Sequence, residues 1–313
     1  AGGLIDYVSI HLYGASRHLY TPEDDEFEST VGQALHFEEE LRAYADLVAQ
    51  EARRAGVERP LALALDEWNI RHLEPETWPT PAPGPDGRIA PRDLPPTDPA
   101  AVRRVRVNRW SPRTLADALF YAGVFHALHR LCGHTVPVGM ANTVNLINAN
   151  ALLAVRPSGL VQSATYHVWD LYQNHMGRTC LPVTVECPSV LRPVRRSPQL
   201  DVTGQLPARP ALVPYLDGVA TLSDDRRTLH VCVINRHRTA AVRAPIRCTG
   251  PDADLPPRAR HWEIGAGGAD VLATNGLDTP DCVALRGGGT VEVPPGGYVF
   301  PPHAVTLLSF EIA

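Results

Sequence analysis

Residues 61–73 read LALALDEWNIRHL. A short apolar run, 61–65, opens behind Pro60 and stops at an acid pair, Asp66 and Glu67, followed by Trp68 and Asn69. Five apolar residues in a row suit a strand buried on both faces. A helix comes before it. Leu41, Tyr44, Ala45, Val48 and Ala52 recur at helical spacing, Glu38 and Arg42 make an i,i+4 charge pair, and Gly56 stands where a helix stop belongs. Helix, short loop, buried strand and terminal carboxylate is the repeating order of an α/β barrel, whose chemistry sits at the C-terminal ends of its strands. Taken alone, the acid pair has a more ordinary reading as solvated turn residues ending a strand.

The rest of the chain bounds that choice. Its 313 residues hold one large domain or two ordinary ones, and 44% hydrophobic with 20% charged residues is a globular composition. No apolar run approaches the ~20 residues that a membrane span needs. A formal net charge of −5 and a pI near 6.2 argue against nucleic acid or an anionic membrane as partner. All 29 basic residues are arginine, a bias that says little about function.

Cys132, Cys180, Cys187, Cys232, Cys248 and Cys282 are scattered, with no C-x-x-C spacing. The expectation is free, buried thiols in a reducing cytoplasm rather than a zinc knuckle or disulfide scaffold. His126, His129, Cys132 and His134 have conceivable metal spacing. They fall in and after the helical run 114–131, however, whose Leu115, Leu119 and Ala122 form a packing face, so a structural role is favoured and no metal site is expected.

Three strand-then-helix units can be placed: strand 5–11 with helix 34–54, strand 61–66 with helix 115–131, and strand 135–140 with a helix around 164–172. Between the second strand and its helix lies a proline-rich insert, roughly 73–112, of the length usual for functional lids or disordered segments. The arginine-rich VRRVRVNRW at its end is read as solvated. From about Arg178 the texture changes to short alternating runs (229–233, 291–293, 306–312) between Gly/Pro/Asp-rich turns, which signals an antiparallel β-sandwich. Two domains are therefore expected, α/β over 1–177 and all-β over 178–313. The chain opens AGGLIDYVSIHLYG, already inside a strand-like run and without an initiator Met, signal peptide or leading helix, so it reads as a protein entered partway.

DYVSIHLYG, LALDEWNI, MANTVNLINA, SATYHVWDLYQNH and VPYLDGVATLSDDRRTLHVCVINRH, in that order, span nearly the whole chain. Together they resemble the α-L-arabinofuranosidases of glycoside hydrolase family 51. The D-E-W-N motif and T-Y-H-V-W are specific in combination and weak alone. The resemblance implies a (β/α)8 TIM barrel followed by a jelly-roll β-sandwich. It also implies retaining cleavage of terminal arabinofuranosyl groups from oligosaccharides and polysaccharides.

On that resemblance Glu67 is the nucleophile, at the end of the seventh barrel strand. Tyr13 corresponds to the tyrosine that contacts it, and His11 to a neighbour in the sugar pocket. Trp68, Arg71 and Asn142 are assigned to substrate binding with them. A retaining glycosidase needs two carboxyls about 5–5.5 Å apart. In the family the second follows an asparagine at the end of the fourth strand, and this chain contains no Asn-Glu dipeptide. The expectation is that the chain begins at the sixth strand of an enzyme of roughly 500 residues, with the acid/base upstream, and is inactive by itself. Two departures bear on the sugar: asparagine at 142 where the family has glutamine, and Arg71 where many members have an aromatic. The alternatives are another retaining activity, β-xylosidase or endoglucanase, and a non-catalytic carbohydrate-binding remnant. No cofactor is implied, since both steps are carboxylate chemistry. A cytoplasmic location is expected, and homo-oligomerisation is left open.

Overall fold

The computed structural model describes residues 5–80, 96–196, 208–249, 254–265 and 270–312. The first half contains β1 (Tyr7–Ser16), α1 (Asp24–Arg54), β2 (Ala62–Pro75), β3 (Val105–Asn108), α2 (Leu115–Arg130) and β4 (Val138–Thr143). β1 and β4 flank β2 and run parallel to it. β3 pairs antiparallel with the end of β2, from His72 to Pro75. One face of this sheet is apolar: Ile10, Leu12, Leu63, Leu65, Trp68 and Ile70 share a core with Leu41, Ala45, Leu119, Phe120 and Val124 of the two helices. The helices meet closely at Gly123, where an added Cβ would lie 2.6 Å from that of Ala34. Thr114 and Asp117 cap α2 reciprocally, each side chain accepting from the other's backbone N–H.

The second half adds the hairpin β5 (Leu153–Arg156) and β6 (Gly159–Gln162), α3 (Ala164–Asn174), and the strands β7 (Thr179–Leu181), β8 (Ser189–Arg195), β9 (Ala208–Pro214) and β10 (Leu216–Leu222). β11 (Thr228–Asn235), β12 (Val242–Ala244), β13 (Arg258–Gly265), β14 (Ala284–Glu292), β15 (Tyr298–Phe300) and β16 (Ala304–Glu311) complete it. Six of these strands form one sheet in the order β14-β13-β16-β11-β10-β7, with every neighbouring pair antiparallel. Its strands alternate between two cores. Val231, Val233, Leu308 and Phe310 pack with Phe300 and the β12–β15 layer, while Cys232, Ile234, Val305 and Leu307 join the core of α2 and α3.

The structure changes several boundaries. α1 starts at Asp24, ten residues before the expected 34: Phe27, Val31 and Ala34 extend its apolar stripe into the core, and the β8–β9 hairpin covers the polar residues of its first turns. There Arg195 and Arg17 pair with buried Glu26, and Arg192 pairs with Glu28. β2 runs on past the acid pair to Pro75, so part of the expected insert is strand, with β3 as its partner. The middle of that insert, 81–95, lies outside the described residues. The six cysteines are not uniformly buried: Cys232 is, whereas Cys132 and Cys248 are exposed. The two expected domains share one core. The described residues form no closed barrel, only the three parallel strands with β1 and β4 at the margins.

Candidate active site

Parity along β1 puts Ser9, His11 and Tyr13 on the face opposite the helices. On β2 the same face would receive Ala62, Ala64 and Asp66, and would then lose Glu67 to the buried side. A β-bulge prevents this. Ile10 pairs with Leu65 but His11 pairs with Glu67, so Asp66 is an inserted residue, and the register with β4 shifts over the same stretch. A bulge turns its strand and re-aims side chains. Here both carboxylates come to the open face, and Trp68 falls to the buried one.

The contacts follow from that geometry. The Tyr13 hydroxyl donates to Glu67 Oε2 at 2.7 Å, and His11 Nδ1 stands 3.7 Å from the same oxygen. Oε1 of Glu67 has no protein partner among the described residues. The other edge of the His11 ring faces Asp66, with Nε2 3.3 Å from Oδ1. The Ser9 hydroxyl reaches Asp66 at 2.9 Å. His11, Asp66 and Glu67 are all partly open to solvent. Burial, and then the bond to Glu67, hold the Tyr13 phenol above its ordinary pKa, so it stays a donor across the physiological range. Arg71 covers the other side of that tyrosine, its guanidinium carbon 3.9 Å from the ring centroid, a cation–π contact.

Asn142 is exposed on β4, level with the bulge between the Leu65–Ala141 and Trp68–Thr143 pairs. Among the described residues its amide approaches only the Met140 sulfur, at 3.8 Å. Four of the six residues assigned from the sequence, His11, Tyr13, Glu67 and Arg71, are thus brought into contact, and Asn142 stands beside them. Trp68 is not brought there. It is fully buried, with its ring 4.6 Å from Tyr121 and 6.2 Å from Trp169. The bulge is the physical reason, since it reverses the parity on which Trp68 would have faced the open side of the sheet.

The sequence reading passed over the residues that hold β2 in place. Asn69 donates to the Val144 carbonyl and accepts from the Tyr121 hydroxyl at 2.8 Å. His72 meets Asp117 at 2.8 Å, and Arg113 donates to the Ile70 carbonyl at 2.8 Å. Burial would raise the Asp117 pKa, but His72 and Arg113 bring it down to about 2. Asp66 and Ser9 were also unassigned. The signal was available in the S-x-H-x-Y alternation facing an acid pair. The histidines weighed as metal ligands diverge: His126 turns to Asp217, His129 to the Phe125 carbonyl and His134 to Asp46.

Residues 66–304 match the alpha-L-arabinofuranosidase C-terminal domain family, and the chain belongs to that family. An intracellular exo-alpha-L-arabinofuranosidase of Bacteroides ovatus is 22% identical over 210 residues, which cover 64% of this chain and 34% of that protein. The arabinose complex of the Thermotoga maritima alpha-L-arabinofuranosidase superposes with a TM-score of 0.71 at 24% identity, covering 100% of this chain and 54% of that one. The family 51 arabinofuranosidase of Xanthomonas axonopodis pv. citri gives 0.70 at 19% identity, over 99% and 54%. The chain therefore spans about a third of the curated relative and about half of these solved structures. No helix among the described residues is long and apolar enough to cross a membrane.

Proposed function

We propose that the protein containing this chain is a retaining α-L-arabinofuranosidase and that Glu67 is its nucleophile. The observation that carries this reading is the 2.7 Å bond from Tyr13 to Glu67 Oε2 on a bulge within a strand that has a parallel neighbour on each side. A donor on one oxygen fixes the plane of the carboxyl group and leaves the other oxygen to attack. In the first step an oxygen of Glu67 bonds to the anomeric carbon as the leaving oxygen departs with a proton from a second carboxyl group. In the second step water, deprotonated by that same group, hydrolyses the ester.

Asp66 is a poor candidate for the second carboxyl, because Ser9 and His11 already engage it. The acid/base is proposed to come from barrel strands outside this chain. Exposed Tyr7 and Met140 on the open face, and the unpaired outer edges of β1 and β4 among the described residues, support further strands there. His11, Arg71 and Asn142 are proposed to line the sugar site.

The test is to trap the glycosyl-enzyme in the complete protein with an activated 2-deoxy-2-fluoro-arabinofuranosyl donor and map the adduct by peptide mass spectrometry. The expected adduct is on Glu67, and Glu67→Gln should lose several orders of magnitude in kcat. An adduct on another carboxylate would overturn the assignment. Turnover of an aryl β-xyloside in place of the arabinofuranoside would keep the mechanism and replace the sugar.

A further inference from the structure

Cys132 and Cys180 are 48 positions apart in sequence, yet their sulfurs are 2.9 Å apart, the Cys180 thiol donating to Cys132. Cys132 follows the last turn of α2, its N–H bonded to the His129 carbonyl, and is exposed. Cys180 is the middle residue of β7, the edge strand of the six-stranded sheet, held by a three-residue ladder to β10. The pair therefore bridges a helix of the parallel-sheet half and the shortest strand of the six-stranded sheet.

We propose that Cys132 and Cys180 form a reversible disulfide on reaction with a low-molecular-weight disulfide such as oxidised glutathione. The Cys132 thiolate attacks one sulfur of the oxidant and expels one thiolate, giving a mixed disulfide. Cys180 then loses its proton and attacks the Cys132 sulfur, expelling the second thiolate. Two protein thiols and one external disulfide become one protein disulfide and two external thiols, so atoms and electrons balance.

The environment selects this pair from the six cysteines. The Cys180 thiol lowers the Cys132 pKa to about 7, which suits the attacking thiol, and the 2.9 Å approach places Cys180 to resolve the mixed disulfide. Burial pushes the Cys232 thiol up to about 12 and raises that of Cys248. The bond would lie at the C-terminal end of α2, about three turns beyond Tyr121, which reaches Asn69 of β2. It should therefore tighten the fold and leave the Glu67 cluster alone.

Oxidised glutathione is added to the native chain, the remaining thiols are alkylated, and the peptides are mapped. The expected product is about 2 Da lighter, with one internal Cys132–Cys180 bond. It should melt several degrees higher, because a closed loop restricts the unfolded chain, and revert with dithiothreitol. Cys180→Ser should instead stop at a mixed disulfide on Cys132. The proposal is overturned if native Cys132 keeps glutathione with Cys180 free, if the bond joins two chains, or if another cysteine reacts first. Since the native-chain map alone decides these outcomes, a poorly folding variant does not shield the idea.

Discussion

On β11, Val231 and Val233 face one core while Cys232 and Ile234 face another. On β1, Ile10 and Leu12 face the helices while Ser9, His11 and Tyr13 face outward to carboxylates. The two sheets obey the same period of two, but only the antiparallel one finds partners for both faces among the described residues. On β11 the alternation is uninterrupted from Leu229 to Asn235, opposite both β10 and β16, and among the described residues this sheet shifts register only at its edge strand β14, opposite His261 and Trp262. The parallel sheet interrupts its alternation at Asp66, the point where chemistry is proposed. A strand whose two faces are both packed cannot shift parity without burying a charge or exposing a core residue. One with a free face can, and β2 uses that freedom to present two adjacent carboxylates.

The comparison breaks most severely at Trp68, the residue that the bulge sends inward. Removing a fully buried tryptophan leaves a large cavity beside Tyr121, Phe125 and Trp169. Trp68→Ala should cost about 3–5 kcal/mol of stability, read as a lower urea midpoint. If Trp68 instead lined the sugar site, the variant would fold normally and lose only substrate affinity, and the bulge assignment would fail.

How much of this was legible differs between the halves for the same reason. Strand and helix order, the acid pair and the change of texture near Arg178 could be read because apolar periodicity is local. The reach of β2 to Pro75 could not, since Asp66, Glu67, Asn69 and Arg71 look like the end of a strand when the bulge is unseen. The first turns of α1 were hidden because Glu26, Glu28 and Gln33 are buried polar residues. Arg17, Arg192, Arg195 and the backbone of Ala15 satisfy them from elsewhere in the chain. The Cys132–Cys180 contact was invisible for the same cause, because no short-range pattern records a meeting 48 positions away. Tyr13 and Glu67 were paired by family resemblance, and their bond is explained by register only once the bulge is known.

Acid should sharpen the contrast. His18 is buried against Phe27 at the top of β1, and His126 is buried on α2 beside Asp217 of β10. Burial lowers each imidazole pKa to about 4, against the raising influence of Glu26 and Asp217. Above about pH 6.5 both folded and unfolded chains hold these rings neutral. As pH falls from there to about 4, the unfolded chain takes up protons that the folded chain refuses, so stability falls with pH. Each histidine should remove on the order of 3 kcal/mol by pH 4. The melting temperature should therefore drop steadily between pH 7 and pH 4.5, less steeply in His18→Gln. A flat profile over that range would mean that both rings reach water in the folded state.

The finest test concerns Asn142, the one assigned polar residue that stands beside the Glu67 cluster without touching it. It shares the open face with Met140, and among the described residues its amide has only a 3.8 Å sulfur contact, which leaves it able to bond an incoming hydroxyl. On the proposed activity, Asn142→Ala in the complete protein should leave the melting temperature unchanged and reduce kcat/KM for an aryl arabinofuranoside. The loss should correspond to one neutral hydrogen bond, about 0.5–1.5 kcal/mol. Asn142→Gln, which adds one methylene of reach, separates two explanations of such a loss. Recovery beyond the native value would mean that asparagine holds the sugar at a stretched distance. A further loss would mean that the site is shaped around the shorter side chain. Unchanged kinetics in both variants would show that the open face of β4 takes no part in binding, confining the sugar contacts of this chain to β1 and β2.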